Sequence, residues 1–223
     1  LKSLTPRPVR GKSNLKGTVR VTAGKLKGRA IPFVNSRFDN ADITPQKVKG
    51  ALFSMLGESL DGLVFLDLYA GSGQIGIEAI SRGCALTVLN ESDRKRYSFF
   101  REFLDQVCGR DEFLALSMEA NSALRYLHKK EIRPDIIFLD PPYDKNTAGG
   151  SVYKFLFENL SVPGFTADDA VVVVQHYSKN ELPGEAGIFR KKFTRSYGTT
   201  SLSMYESDAG AGSGDARDGH VSE

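Results

Sequence analysis

Val64-Phe65-Leu66-Asp67-Leu68-Tyr69-Ala70-Gly71-Ser72-Gly73-Gln74-Ile75-Gly76 is the stretch whose reading decides the fold. Val64 to Leu68 is a short apolar run that reads as a buried strand. Three glycines follow in the pattern G-x-G-x-x-G. Ile75, Ile77, Ala79 and Ile80 then open a helix that stops at Gly83. Strand, glycine loop and helix in this order bring backbone against a nucleotide, because a Cβ in the tight turn would hold the ligand off. An isolated G-x-G-x-x-G also fits an ordinary strand-to-helix turn. Two acids add to it. Glu91 closes the next apolar run, Ala85 to Leu89, where an acidic group meets ribose hydroxyls. Asp67 stands just before the loop, where dinucleotide sites are usually apolar.

Working outward, strands and helices alternate. The spacing predicts helix Gly76–Arg82, strand Ala85–Leu89, helix Arg94–Val107, strand Phe113–Leu116, helix Ser122–Lys130, strand Ile136–Leu139, helix Tyr153–Asn159 and strand Ala170–Gln175. Such alternation means a parallel sheet covered on both faces. Phe189–Tyr197 and Thr200–Tyr205, separated by Gly198-Thr199, read as an antiparallel hairpin. Upstream, Arg20–Ala23 and Arg29–Phe33 flank Gly24 and Gly28 and suggest a short hairpin. Thr44-Pro45 reads as the start of a helix with Thr44 as N-cap, and Val48, Ala51, Leu52, Met55 and Leu56 form its apolar stripe. Lys47 and Lys49 lie off that stripe and are expected to be available. The expected fold is therefore α/β, with a Rossmann-like sheet, mostly parallel, a C-terminal antiparallel hairpin, and a small N-terminal hairpin-and-helix extension. The expected organisation is a disordered basic arm over 1–17, a hairpin-and-helix extension over 18–57, the main α/β domain over 58–206 and a disordered tail over 207–223.

The 223 residues are 40% hydrophobic and 26% charged, enough for one α/β domain with a stable core. No apolar run reaches the roughly 18 residues of a membrane span, and no signal peptide is visible, so a cytoplasmic protein is expected. Cys84 and Cys108 lack metal-type spacing and read as reduced thiols; no metal site is expected. The net charge of +3 hides an asymmetry. From Leu1 to Phe38 there are ten Lys or Arg (Lys2, Arg7, Arg10, Lys12, Lys16, Arg20, Lys25, Lys27, Arg29, Arg37) and no Asp or Glu. A one-signed arm suits a phosphate backbone. The candidate contacts are Arg20, Lys25, Lys27, Arg29, Lys47 and Lys49.

Asp140-Pro141-Pro142-Tyr143 follows the apolar run Ile136 to Leu139, so it sits past the carboxyl end of a strand, where open α/β sheets bind ligands. Consecutive prolines make a rigid loop that offers carbonyl acceptors. Asp140 adds an acceptor and Tyr143 a flat aromatic face. That set suits a planar ring with an exocyclic NH2, whose hydrogens bond Asp140 and the Pro141 carbonyl while the ring stacks on Tyr143. Its delocalised lone pair is a weak nucleophile, so positioning would supply much of the rate. Asp140 would stabilise the charge the amine gains. A base inside a helix cannot reach such a pocket, so the nucleotide must be single-stranded or flipped out.

The motif D-x-x-A-G-S-G, Asp67 to Gly73, resembles the S-adenosylmethionine loop of class I methyltransferases. In that family an acid beside the loop helps hold the ammonium of the ligand's amino acid. With Arg20 to Arg29 (R-V-T-A-G-K-L-K-G-R), Lys47 to Leu56 (K-V-K-G-A-L-F-S-M-L), Phe65 to Gly83, D-P-P-Y and Tyr197-Gly198-Thr199, the chain resembles the bacterial 16S ribosomal RNA guanine-N2 methyltransferases of the RsmD type. The resemblance runs from about Val19 to Tyr205. It implies S-adenosylmethionine as methyl donor and a guanine of small-subunit rRNA as target, within the subunit or an assembly intermediate. It implies cofactor contacts at Asp67, Tyr69, Ala70, Gly71, Ser72, Gly73, Gly76, Glu91, Asn121 and Asp140, with Glu119 as the other candidate beside the adenine, and chemistry at Asp140, Pro141 and Tyr143. Asp42-Ile43-Thr44 departs from the family's Arg-Pro-Thr. A monomer is expected. Three other readings stand beside this one: an adenine-N6 methyltransferase on RNA or DNA, an NAD-dependent oxidoreductase, and a non-catalytic RNA-binding protein on a relic fold.

Overall fold

A computed structural model describes residues 19–33, 44–142 and 150–208. The expectations for the arm over 1–17, for Arg37, Asp42, Ile43 and Tyr143, and for the tail beyond Asp208 lie outside these residues. The chain begins with an antiparallel pair, β1 (Val19–Arg20) and β2 (Ala30–Ile31), followed by helix α1 (Gln46–Leu56). Strands and helices then alternate through β3 (Val64–Asp67), α2 (Gln74–Ser81), β4 (Leu86–Asn90), α3 (Arg94–Val107), β5 (Phe113–Leu116), α4 (Ala120–Lys129), β6 (Ile136–Leu139), α5 (Gly150–Leu160) and β7 (Val171–Tyr177). The sheet closes with β8 (Glu185–Ala186), β9 (Phe189–Tyr197) and β10 (Thr200–Ser207).

The sheet order is β5-β4-β3-β6-β7-β10-β9-β8. β3 pairs in parallel with both β4 and β6, so the order reverses at its carboxyl end and a crevice opens there. The last long strand, β10, inserts antiparallel between β7 and β9. A sheet of the dinucleotide type carries a sixth parallel strand at that side.

The period-2 side-chain alternation divides the core. Leu66, Ile137, Leu139, Val172 and Val174 pack with Leu124, Leu127, Leu156 and Phe157 of α4 and α5. Phe65, Phe138, Val173 and Leu202 pack on the other face with Val48, Leu52 and Phe53 of α1 and Ile75 and Ala79 of α2. A third cluster joins Val19, Val21, Ile31 and Phe33 to Phe100, Phe103 and Leu104 of α3. Each fully buried side chain of this size contributes about 1.5–3 kcal/mol.

Several boundaries differ from expectation. The N-terminal strands have two residues each. β8 was not anticipated, and β10 continues to Ser207, into the expected tail. Thr44 does not cap α1: Pro45 holds the N-cap position, and Thr44 is buried with its carbonyl accepting from Gln74 Nε2 at 3.0 Å.

Lys49 is the main correction. It was expected on the surface, yet its side chain is fully buried. Its ammonium lies 2.9 Å from Glu78 Oε2 and 2.6 Å from the Arg20 carbonyl. The buried face of α1 is Val48, Lys49, Leu52 and Phe53, which is rotated from the stripe read off the sequence. The rotation brings Lys49 to the one carboxylate on α2. Glu78 also accepts from the Thr22 and Ala23 backbone N–H groups and from Arg82. Burial alone would raise its pKa; the Thr22 and Lys49 hydrogen bonds outweigh that and hold it below the usual range. The N-terminal extension is thus fastened to α2 by one saturated carboxylate.

Candidate active site

β3 delivers Asp67 to the carboxyl end of the sheet, and the chain turns there through Gly71 and Gly73, both at positive φ. The glycines have different reasons. A Cβ on Gly71 would meet nothing within 4 Å, whereas one on Gly73 would lie 2.7 Å from Phe100 Cβ and one on Gly76 2.4 Å from Leu89 Cδ2. Only the first glycine of the motif lines the cleft. Gly73 and Gly76, expected as cofactor contacts, let α2 approach α3 and β4 closely instead.

The cleft has a volume of ≈ 680 Å³, within the range of small-ligand sites. Asp67, Tyr69, Ala70, Gly71, Ser72, Glu91, Asp140 and Pro141 of the expected set line it together. Asn121 does not; that wall is Met118, Glu119 and Ala120. The helix begins at Ala120, two residues earlier than expected, so Glu119 takes the N-cap position and stands at the cleft. Tyr69 is half-buried, and burial first, then the nearby Glu119 charge, push its phenol up to about 12.

Asp67 is buried, and its Oδ2 accepts from the Gly76 N–H at 3.1 Å. Its Oδ1 has no hydrogen-bond partner. Burial, reinforced by the Asp140 and Glu91 charges and opposed by the Gly76 bond, pushes it up to about 8. Glu91, by contrast, is used twice: Oε2 accepts from Gly71 N–H at 2.8 Å and Oε1 from Asp93 N–H at 2.9 Å. It shapes the glycine loop, and each oxygen keeps a lone pair. Asn90 clamps the floor by donating to the carbonyls of Leu68 and Met118.

Asp140 stands across the cleft at the end of β6. Its Oδ2 accepts from Gln175 Nε2 at 2.7 Å, and the neighbouring Pro141 is buried. The sequence reading gave Gln175, Gln74 and Arg96 no role, and Thr44 only that of a helix cap. Thr44, Gln74 and Arg96 line the cleft. A polar residue near the carboxyl end of a strand beside β6 is a signal that could have found Gln175. Nothing local marks Thr44 or Arg96.

His176, between the Tyr177 carbonyl and the Ser203 hydroxyl, is a buried structural residue. Arg20, Lys27, Arg29 and Lys47 are exposed. Lys25 is ion-paired with Glu112. The turn carrying Lys25 and Lys27 sits on the carboxyl end of α2, where Lys25 N–H bonds the Ser81 carbonyl. That is the end of the sheet away from the cleft. Among the described residues no group of three or more His, Cys, Asp or Glu could hold a metal, and no helix is long and apolar enough to cross a membrane.

The fold and the paired loops at one crevice define a class I methyltransferase-like α/β protein. Residues 19–206 match the family described as "Conserved hypothetical protein 95", and the chain belongs to it. The protein YlbH of Bacillus subtilis is 31% identical over 84% of this chain and 98% of its own length. Ribosomal RNA small subunit methyltransferase D of Escherichia coli K12 is 27% identical over 86% of this chain and 92% of its own. Among solved structures, a conserved hypothetical protein of Streptococcus pyogenes is 32% identical, covering 72% of this chain and 95% of its own, with a TM-score of 0.63.

Proposed function

We propose that this chain methylates the exocyclic N2 amine of a guanine in 16S rRNA of the small ribosomal subunit, with S-adenosylmethionine as donor. The single observation that carries the reading is the Asp140 carboxylate, fixed by Gln175 on the wall opposite the Gly71 loop of one cleft. The names of the curated relatives support the rRNA part of it.

The donor supplies an electrophilic methyl group on sulfur. The residues present fit such a molecule. The Gly71 loop gives close backbone approach. Asp67 Oδ1, without a partner, suits an ammonium. Glu91 has lone pairs left for ribose hydroxyls, and Glu119 and Ala120 stand where an adenine edge would lie. On the acceptor side, Asp140 and the Pro141 carbonyl take the two amino hydrogens and aim the lone pair. Tyr143 is assigned the stacking face from the sequence. Asp140 then stabilises the positive charge that develops on nitrogen. Gln175 keeps its carboxylate from swinging away, so orientation precedes reaction. Arg20 and Lys47 are the proposed phosphate contacts of the extension.

Tritium transfer from labelled cofactor to unmodified small subunits, followed by mass spectrometry of the nucleosides, tests this. Labelled N2-methylguanosine is expected. Labelled N6-methyladenosine would replace guanine by adenine, and no transfer by soluble, cofactor-binding protein would overturn the reading.

A further inference from the structure

We propose that the cleft-side end of the β9–β10 hairpin, centred on Arg195, is a second RNA-binding surface that grips phosphate beside the Asp140 site. This rests on the rRNA reading above. The register puts Arg195 there. Leu139 pairs with Val174, so Asp140 falls in the row of Gln175; Gln175 pairs with Leu202, and Leu202 with Arg195. Phe138, Val173 and Leu202 belong to the cluster beneath α1, so Asp140, Gln175, Leu202 and Arg195 lie on that same face of the sheet. Arg195 is thus three strands from Asp140, about 14 Å at the usual spacing. A base held at Asp140 leaves its flanking phosphates within that reach.

Charge is segregated along the hairpin. At the far end Arg190 is paired with Glu185 and Asp208 and Lys192 with Glu206, while Lys191 donates to the Leu182 carbonyl. From Phe193 to Ser203 there is one cation, Arg195, and no acid. The hydroxyls of Thr194, Ser196, Ser201 and Ser203 are on the opposite face, bonded to one another in the pairs Thr194–Ser203 and Ser196–Ser201, so Arg195 is the charged group of its own face. The Arg195 guanidinium lies 4.9 Å from the centroid of the Phe193 ring. The ring contact limits the freedom of an exposed guanidinium whose planar fork can take phosphate with two N–H groups.

The neighbours agree. Lys179 is exposed just beyond β7, in a segment whose Ser178 N–H bonds the Thr199 carbonyl. Lys47 is exposed on the first turn of α1, next to the cleft-lining Thr44. β8 pairs with β9 at Phe189 and Arg190, at the end away from Arg195. Among the described residues the exposed large apolar side chains are Val152, Phe155 and Val162, none of them on the β9–β10 hairpin. RNA is the occupant that the charge favours. The lysines of the N-terminal turn point to the opposite end of the sheet and cannot serve this purpose for the same nucleotides.

The test measures equilibrium binding of the full chain to a 16S rRNA fragment without cofactor, across salt, for wild type, Arg195→Glu, Arg195→Gln and Lys179→Glu. Arg195→Glu is expected to weaken RNA binding at least about tenfold. Arg195→Gln should lower the salt slope by about one, since one phosphate contact is lost. Cofactor affinity and melting temperature should stay at wild-type values. In turnover, Arg195→Gln should raise KM for small subunits and leave kcat within about twofold. Unchanged RNA affinity and salt slope would overturn the proposal. So would a loss of subunit binding with naked-RNA binding intact, which would mark a protein contact. Equal loss of cofactor binding would mark a structural residue. Binding of wild type to rRNA without any methyl transfer would sink the enzyme reading and leave this surface standing.

Discussion

Glu78 and Asp67 are two buried carboxylates attached to the same helix, and their surroundings treat them in opposite ways. Glu78 accepts from two backbone N–H groups, a lysine and an arginine, and is held below the usual carboxylate range. Asp67 accepts from one backbone N–H, keeps one oxygen without a partner and is pushed up to about 8. A saturated buried charge is an internal fastening, here between the N-terminal extension and the sheet. A buried acid left half-satisfied at the wall of a cleft is a place where a ligand supplies what the protein does not.

The sharpest way to break this comparison is to remove one partner of the fastening. Lys49→Met should cost about 3–5 kcal/mol of stability, because Glu78 then keeps a buried charge without its main counter-ion. Chemical denaturation would read it, and a loss under about 1 kcal/mol would mean that Glu78 is not the fastening described. Asp140→Ala should lower the methyl-transfer rate by roughly 10²–10³ while cofactor affinity holds; joint loss of both would give Asp140 a structural role instead. Gly76→Ala should cost about 1–3 kcal/mol from the clash with Leu89, with Gly71→Ala sparing stability more and cofactor affinity less. Calorimetry and melting curves on the pair separate packing from ligand approach.

The smallest effect is the pH response of Asp67. Its usual value is 3.8 and burial raises it to about 8. In that interval the unfolded chain is ionised there and the folded chain still holds the proton. Its contribution to stability is therefore full below the usual value and is lost as pH rises toward 8. An ammonium-bearing ligand prefers the ionised acid, so cofactor affinity should rise with pH up to about 8. Calorimetry near neutral pH in two buffers of different ionisation heat should detect proton release on binding. In Asp67→Asn that release should vanish; its persistence would assign the proton to another group.

Much of the sheet was legible because strands and helices leave periodic signatures. Phe113–Leu116, Ile136–Leu139, Arg94–Val107 and Phe189–Tyr197 occur at the expected bounds. Two-residue elements such as β8 carry no period to read. At the site, Asp67, Gly71 and Asp140 were legible because loop chemistry restricts residue type. Lys49 was not, because a lysine's burial depends on which carboxylate a neighbouring helix turns toward it. Gln175 and Thr44 come from segments distant in sequence, and only the assembled sheet sets them beside the cleft.

The amino-acid order alone determined the alternation of strands and helices, the glycine turn after the first sheet strand and the acid at the end of β6. These follow from backbone sterics and hydrophobic period, which act over a few residues. Which glycine lines the cleft, which lysine is buried and which arginine shares a row with Asp140 were decided by packing and strand register. Those are long-range, since a side chain's partners exist only once the layers have closed around it.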